Sequence, residues 1–313
     1  MYPKSTIDWQ KLISVDPAWV TKHLTEHRVK TENKLVLRTY SLQFSGTKYE
    51  TNALIEYMAD SIVNYVLTPK QIKKIEEKGR QPFREAMRYF GDKNPTYDGK
   101  YGELLLYLIT EAVLKTPLIV FKLPLNAKDQ VKGGDGIFLG DYEDKPAILI
   151  GEAKTWKTLS ESLKDALKSL ARFHSNQNTT AMEYEYFIAR NRIRNDLTEN
   201  ELDYIYDCFT PGTVEYKGRV QVHPVLILYD DKRIDGIDAS DNVDGNTKLN
   251  KLIEESLDRN FKSIKKICAD NNGVDKVYLD FFLIPLNDVD AFKHSIFTAI
   301  HGVSWKKENK DDS

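Results

Sequence analysis

The stretch from Gly133 to Lys154 constrains the fold of this chain more than any other. Gly133-Gly134-Asp135-Gly136 leads into Ile137-Phe138-Leu139, a polar bend runs from Gly140 to Pro146, and Ala147-Ile148-Leu149-Ile150-Gly151-Glu152-Ala153-Lys154 follows. Two apolar, β-prone runs on either side of a bend rich in Asp, Tyr, Glu and Pro are a hairpin signal. A hairpin symmetric about the junction of Glu143 and Asp144 sets Gly140 opposite Ala147 and Asp135 opposite Glu152. Directly opposite residues have Cβ atoms about 4.5–5.5 Å apart, so two carboxylates face each other across one rung. Side chains alternate with period two, which sends Lys154 out on the same face as Glu152. An Asp, a Glu and a Lys therefore converge at the open end of a sheet.

Like charges directly opposite each other destabilise a strand pair unless a cation lies nearby. Facing carboxylates suit a hard, oxygen-loving cation such as Mg²⁺, with Mn²⁺ an acceptable substitute. A lysine beside such an ion orients water or offsets charge that develops on a phosphate. Asp135, sixteen intervening residues, Glu152 and Lys154 resemble the Asp…Glu-x-Lys signature of the PD-(D/E)xK nuclease superfamily. The superfamily's proline is replaced, since Gly134 precedes Asp135. The plain alternative is a hairpin whose charged ends simply reach solvent.

The order of elements around the hairpin bears on that choice. Tyr101 to Leu114 is apolar on almost every face and reads as a helix buried on several sides. Glu103 at its start either complements the helix dipole or is a third carboxylate directed at the metal, a place where superfamily members often carry a Glu. Glu111 is the fallback. Leu118–Leu123 reads as a strand ended by Pro124, and Thr158-Leu159-Ser160-Glu161 as a capping box opening a helix with an apolar stripe from Leu159 to Leu170. Val220–Tyr229 is the next strand. Helix, three strands, helix, strand is the αβββαβ core of restriction-endonuclease-like folds. The expected class is thus α/β, with that core over residues 99–305, a mixed, mainly helical N-terminal subdomain over 1–98, and an additional C-terminal strand and helices. A charged tail over 306–313 is expected to be disordered.

The helix after the hairpin carries Lys164, Lys168 and Arg172 at fourfold spacing, with Lys157 just ahead of it. Such a stripe either holds a phosphate backbone or is a solvated face; Lys157 and Lys168 are the candidate nucleic-acid contacts. Arg190, Arg192 and Arg194 form a second basic edge or a polar strand end. Residues 230–247 read as an exposed acidic loop.

With 45 Lys and Arg against 47 Asp and Glu, the net charge is −2, so no global basic field announces nucleic acid. A nearly neutral nuclease relies on a local surface, or on a partner, to capture DNA. Cys208 and Cys268, the only cysteines, have no metal-ligand spacing and fit a reducing cytoplasm. No apolar run approaches membrane-spanning length, and no signal for a membrane or a small-molecule cofactor is present.

With Gly-Glu-Leu-Leu at 102–105, Gly-Gly-Asp-Gly-Ile at 133–137 and Gly-Glu-Ala-Lys at 151–154, the chain resembles the HamA family, the nuclease subunits of Hachiman anti-phage defence. That resemblance implies a metal-dependent DNase acting with a separate helicase subunit. Mapped onto this chain, its active-site residues fall on Glu103, Asp135, Glu152 and Lys154. The rival expectation is a non-catalytic DNA-binding or protein-interaction subunit that retains the fold.

Overall fold

A computed structural model describes residues 7–120, 134–174, 179–238, 244–271 and 273–306. An eight-stranded sheet forms its centre. In chain order the strands are β1 (Thr25–Glu26), β2 (Lys30–Glu32), β3 (Leu35–Ser41), β4 (Leu118–Val120), β5 (Gly136–Tyr142), β6 (Lys145–Thr155), β7 (Val220–Asp230) and β8 (Tyr278–Leu286). Across the sheet the order is β1-β3-β8-β7-β6-β5-β4, with β2 added beside β3. The β3–β8, β8–β7 and β7–β6 pairs are parallel; β6–β5 and β5–β4 are antiparallel.

The helices that matter for the site are α1 (Asn52–Asp60), α2 (Ile62–Val66), α3 (Pro82–Phe90), α4 (Lys100–Ile109), α5 (Leu159–His174), α6 (Thr179–Asn191), α7 (Gly245–Ala269) and α8 (Val289–His301). Their apolar stripes cover both faces of the sheet. Leu149, Leu226 and Phe282 pack on one side with Leu104, Leu105, Leu106, Ile55 and Phe297. Ile148, Ile150, Val225 and Phe281 pack on the other with Leu163, Ala166, Leu167 and Leu170. Burial on both faces is why β6 and β7 read as nearly continuous apolar runs rather than as alternating ones.

In the chain α4 is followed by β4, β5, β6 and α5; α6 and two further helices, Glu199–Cys208 and Val214–Gly218, precede β7. Residues before 98 do not form a separate layer: β1, β2 and β3 join the same sheet, and β3 lies parallel to β8 in the register Leu37↔Phe281. Side chains from α1, α2 and α3 share one cluster of buried apolar residues with α4 and α8.

α4 lies close against β6 because two glycines leave room for it. A Cβ on Gly151 would meet Leu106 Cδ2 at 2.7 Å, and one on Gly102 would meet Thr155 Cγ2 at 2.8 Å. The helix then widens into a π-helical turn over Thr110–Leu114 and stops at Lys115, whose φ of 54° is left-handed.

Half of the predicted capping box at Thr158 forms: the Glu161 N–H reaches the Thr158 hydroxyl at 3.3 Å, while the Glu161 carboxylate takes that hydroxyl at 2.6 Å rather than the Thr158 N–H. The described part of the strand expected over Leu118–Leu123 is β4; residues 121–124 and Gly133 lie outside the described residues. So do 175–178 after His174, 239–243 in the acidic loop, and the tail from 307. The stretch expected as that loop instead holds a helix over Arg233–Asp238, and Asp231 ahead of it is buried, held by the Arg233 guanidinium and by its own N–H to the Leu286 carbonyl at 2.7 Å. Among the described residues, no helix is long and apolar enough to cross a membrane.

Candidate active site

The hairpin folds in the register expected from its symmetry. Gly140 pairs with Ala147 and Gly136 with Gly151, which sets Asp135, one residue before β5, against Glu152. The Asp135 N–H donates to the Gly151 carbonyl at 2.8 Å. Its carboxylate accepts from the Ala153 N–H at 2.7 Å, so the side chain turns across the strand end rather than out to water. Gly134 makes the close approach possible, because a Cβ there would meet Ile150 Cγ2 at 2.4 Å. Its N–H donates to the buried Glu185 carboxylate of α6 at 3.2 Å, which ties the turn holding Asp135 to a helix.

Glu152 is 3 % exposed and faces α5. Burial first, and then the charge of Asp135, raise its pKa well above the usual carboxylate range. The Lys154 ammonium and the Ser169 hydroxyl, which donate to it, oppose that rise. Lys154 leaves β6 on the same side, with Nζ 2.9 Å from Glu152 Oε1. Nζ also lies 3.0 Å from Asp165 Oδ2 on α5, one turn before Ser169. Burial works against the lysine's charge, but Glu152 and then Asp165 outweigh it and hold the pKa above that of an ordinary lysine. The group is therefore a fixed cation at neutral pH.

Glu103 arrives from the other face of β6, in the first turn of α4. Its carboxylate accepts from Tyr65 Oη of α2 at 3.3 Å. Tyr65 stacks edge-on against Tyr89 of α3, with ring centroids 6.0 Å apart. Burial foremost, with the charges of Glu103 and Asp135 adding to it, holds both phenols above their ordinary pKa, so each stays protonated and able to donate. Tyr65 thus holds Glu103, and Tyr89 packs behind Tyr65.

Asp135, Glu152 and Lys154 accordingly form one group at the strand end, while Glu103 stands on α4, held by Tyr65. Among the described residues, no three or more His, Cys, Asp or Glu side chains are clustered as metal ligands. Each carboxylate instead meets a protein donor: Ala153 N–H, Lys154 Nζ or Tyr65 Oη.

Several other expectations are corrected. Glu111 is a staple within the core: 1 % exposed, it accepts from the Ser14 and Leu118 N–H groups at 2.8 Å each. Arg194 is no basic edge, since it is buried and donates to Asp196 and to the Leu12 and Leu118 carbonyls. Lys157 sits just past β6, 72 % exposed, with Nζ 3.5 Å from Asp290 Oδ2. Lys168 is exposed on α5 beside Lys164, while the Arg172 guanidinium lies 4.6 Å over the Phe173 ring.

Sequence reasoning missed Asp165, Ser169, Tyr65 and Tyr89. The tyrosine belongs to a helical stripe that reads as ordinary core, and Asp165 reads as a surface partner for neighbouring lysines. Only the packing of α2 and α5 on the strand end reveals either.

The HamA family profile matches residues 16–300, nearly the whole chain and all of the group just described. The chain belongs to the HamA family. Membership suggests a role in anti-phage defence. No curated protein matches the chain.

Proposed function

We propose that this HamA-family chain is a Mg²⁺-dependent DNA nuclease working in the cytoplasm, the hydrolytic subunit of a defence complex in which a separate helicase supplies DNA. The observation that carries the reading is Asp135 set against Glu152 with the Lys154 ammonium 2.9 Å from the latter. The order α4, β4–β5–β6, α5 and later β7, with Asp135 just ahead of the second strand and Glu152 on the third, further supports a restriction-endonuclease-like core.

The donor set fits a hard cation. Asp135 and Glu152 offer carboxylate oxygens only, Glu103 on α4 is the proposed third ligand, and Glu152 bears the combined cost of burial and of a like charge opposite. When bound there, Mg²⁺ lowers the pKa of its water and offsets charge on the scissile phosphate. The protein's own part is positional. Lys154 presents a permanent cation where negative charge grows in hydrolysis, as a phosphorus–oxygen bond to water forms and the ester bond breaks. Asp165 and Glu152 fix where that ammonium points. Tyr65 orients Glu103, and the Ala153 N–H orients Asp135.

A non-catalytic DNA-binding or protein-interaction subunit is the second reading, favoured by the protein donors that already meet each carboxylate. Purified protein, alone and with its helicase partner, assayed on linear, nicked and supercoiled DNA with and without Mg²⁺, separates the two. Divalent-dependent cleavage is the expected result.

A further inference from the structure

Trp156 stands two residues beyond Lys154, just past the end of β6, and its side chain is 54 % exposed. It does not hang on a loose loop. Thr155 before it pairs with Leu228 of β7, and the Lys157 carbonyl after it accepts from the Asp230 N–H at 3.2 Å. Lys157 Nζ meets Asp290 on α8, whose other oxygen lies 3.4 Å from Lys293 Nζ. That ammonium donates to the Thr96 carbonyl at 2.6 Å. Next in the chain is Tyr97, 86 % exposed, which ends the short turn leading into α4 and Glu103. A line of contacts thus runs around the rim, from an exposed indole after Lys154 to an exposed phenol before Glu103, with Lys157 between.

A single exposed aromatic is ordinary on a protein surface. Position sets Trp156 apart. Two residues of strand span about 7 Å, within one nucleotide's reach of the ammonium assigned to the scissile phosphate. An aromatic ring beside a cation is the pairing that holds single strands, the ring stacking on a base and the cation meeting the backbone. Base faces inside a duplex are covered by their neighbours, so only an unpaired base can use the platform.

We infer that Trp156 is a stacking platform for an unpaired nucleobase beside the scissile phosphate, with Lys157 on the adjoining phosphate, so that the site takes DNA whose bases are unpaired at the cut. The inference rests on the nuclease reading above, and Tyr97 extends the platform on the Glu103 side.

Fluorescence anisotropy of labelled oligo-dT and of a blunt hairpin duplex, titrated at low salt with chelator present, tests it. The expected result is that Trp156→Ala weakens oligo-dT binding about tenfold, leaves duplex binding nearly unchanged, and melts at the wild-type temperature, while Trp156→Phe largely restores binding. Oligo-dT binding indifferent to Trp156→Ala, equal weakening for strand and duplex, or no saturable binding of oligo-dT overturns it. Loss of the helicase partner with DNA binding intact also overturns it, because the ring would then be a protein contact. Cleavage assayed in parallel with Mg²⁺ keeps the two readings apart. Equal cutting of single and double strands, unchanged by Trp156→Ala, removes the platform and leaves the nuclease. Strand binding that depends on Trp156, without cleavage by any divalent ion, removes the nuclease and leaves the platform.

Discussion

Two acids lie at nearly the same level of the central sheet, on the strands flanking β7, and point to opposite faces. Glu152 pairs with Val225, and Asp280 pairs with the preceding Pro224. Both are almost fully buried, and burial raises the pKa of each. Their surroundings differ. Asp280 dominates its cation: Arg38 Nε lies at 3.0 Å and Nη2 at 3.4 Å, with Tyr142 Oη donating at 3.1 Å, while Glu26, the guanidinium's other acid, stands farther off at 4.0 Å. Glu152 faces a second acid across the rung and shares its lysine with Asp165. An acid whose lone pairs are matched by one cation and one phenol holds strands together. A pair of acids competing for one ammonium is a worse structural solution, and under the proposed function a charged ligand offsets its cost.

The largest expected effect breaks the comparison from the structural side. Asp280→Ala leaves the largely buried Arg38 guanidinium with only the distant Glu26 as an acid partner, and should cost about 3–5 kcal/mol in urea unfolding. Glu152→Gln should leave stability within about 1 kcal/mol of wild type, since it also removes a repulsion. Equal losses from the two would erase the distinction.

Glu111 sharpens it as a third buried acid, stapled by N–H groups and without a direct ion pair among the described residues. Burial, only partly opposed by the Leu118 and Ser14 N–H bonds and by Arg194, raises its pKa to about 7. The folded protein then holds a proton that the unfolded chain releases near pH 4.5, so folding takes up protons between those values. The stabilisation is therefore full below about pH 4.5 and is lost as pH rises towards 7, by up to about 3 kcal/mol. Chemical denaturation across that range should show the decline, and Glu111→Gln should remove most of this component.

Lys154→Arg comes next. The charge is retained, but a planar fork cannot place one compact donor between Glu152, Asp165 and a phosphate. Cleavage should fall about a hundredfold, with the melting temperature near wild type. Lys154→Ala should lose as much activity and some stability too, because it strips Glu152 of its cation. Full activity in the Arg variant would reduce Lys154 to a neutralising role.

The smallest effect belongs to Lys168. If its exposed ammonium meets a DNA phosphate, Lys168→Ala should lower the slope of log K against log salt by about one and leave stability unchanged. An unaltered slope would return the α5 stripe to solvent.

Much of this was legible in the chain because it depends on local pattern. Alternation and a bend set the hairpin register, so Asp135 against Glu152 and Lys154 beside it could be read directly. The helix and strand order followed from apolar periodicity. What could not be read depends on packing between distant segments. Asp165 looks like a surface residue until α5 lies over β6, and Tyr65 looks like core until α2 meets α4. Arg194 sits in an alternating basic run, yet is drawn inside by the Leu12 and Leu118 carbonyls. The early strands gave no sign that β3 would join β8 from 240 residues away, since parallel pairing leaves no turn signal between partners.

The central claim is that the facing acids and their lysine are a hydrolytic site rather than a costly strut. The most direct measurement is Mg²⁺-dependent cleavage of labelled DNA by wild type and Glu152→Gln, both with the helicase partner and both checked by thermal melting. Cleavage by wild type that disappears with chelator and in Glu152→Gln, while both proteins melt alike, is the predicted result. Cleavage that persists undiminished in Glu152→Gln would contradict it.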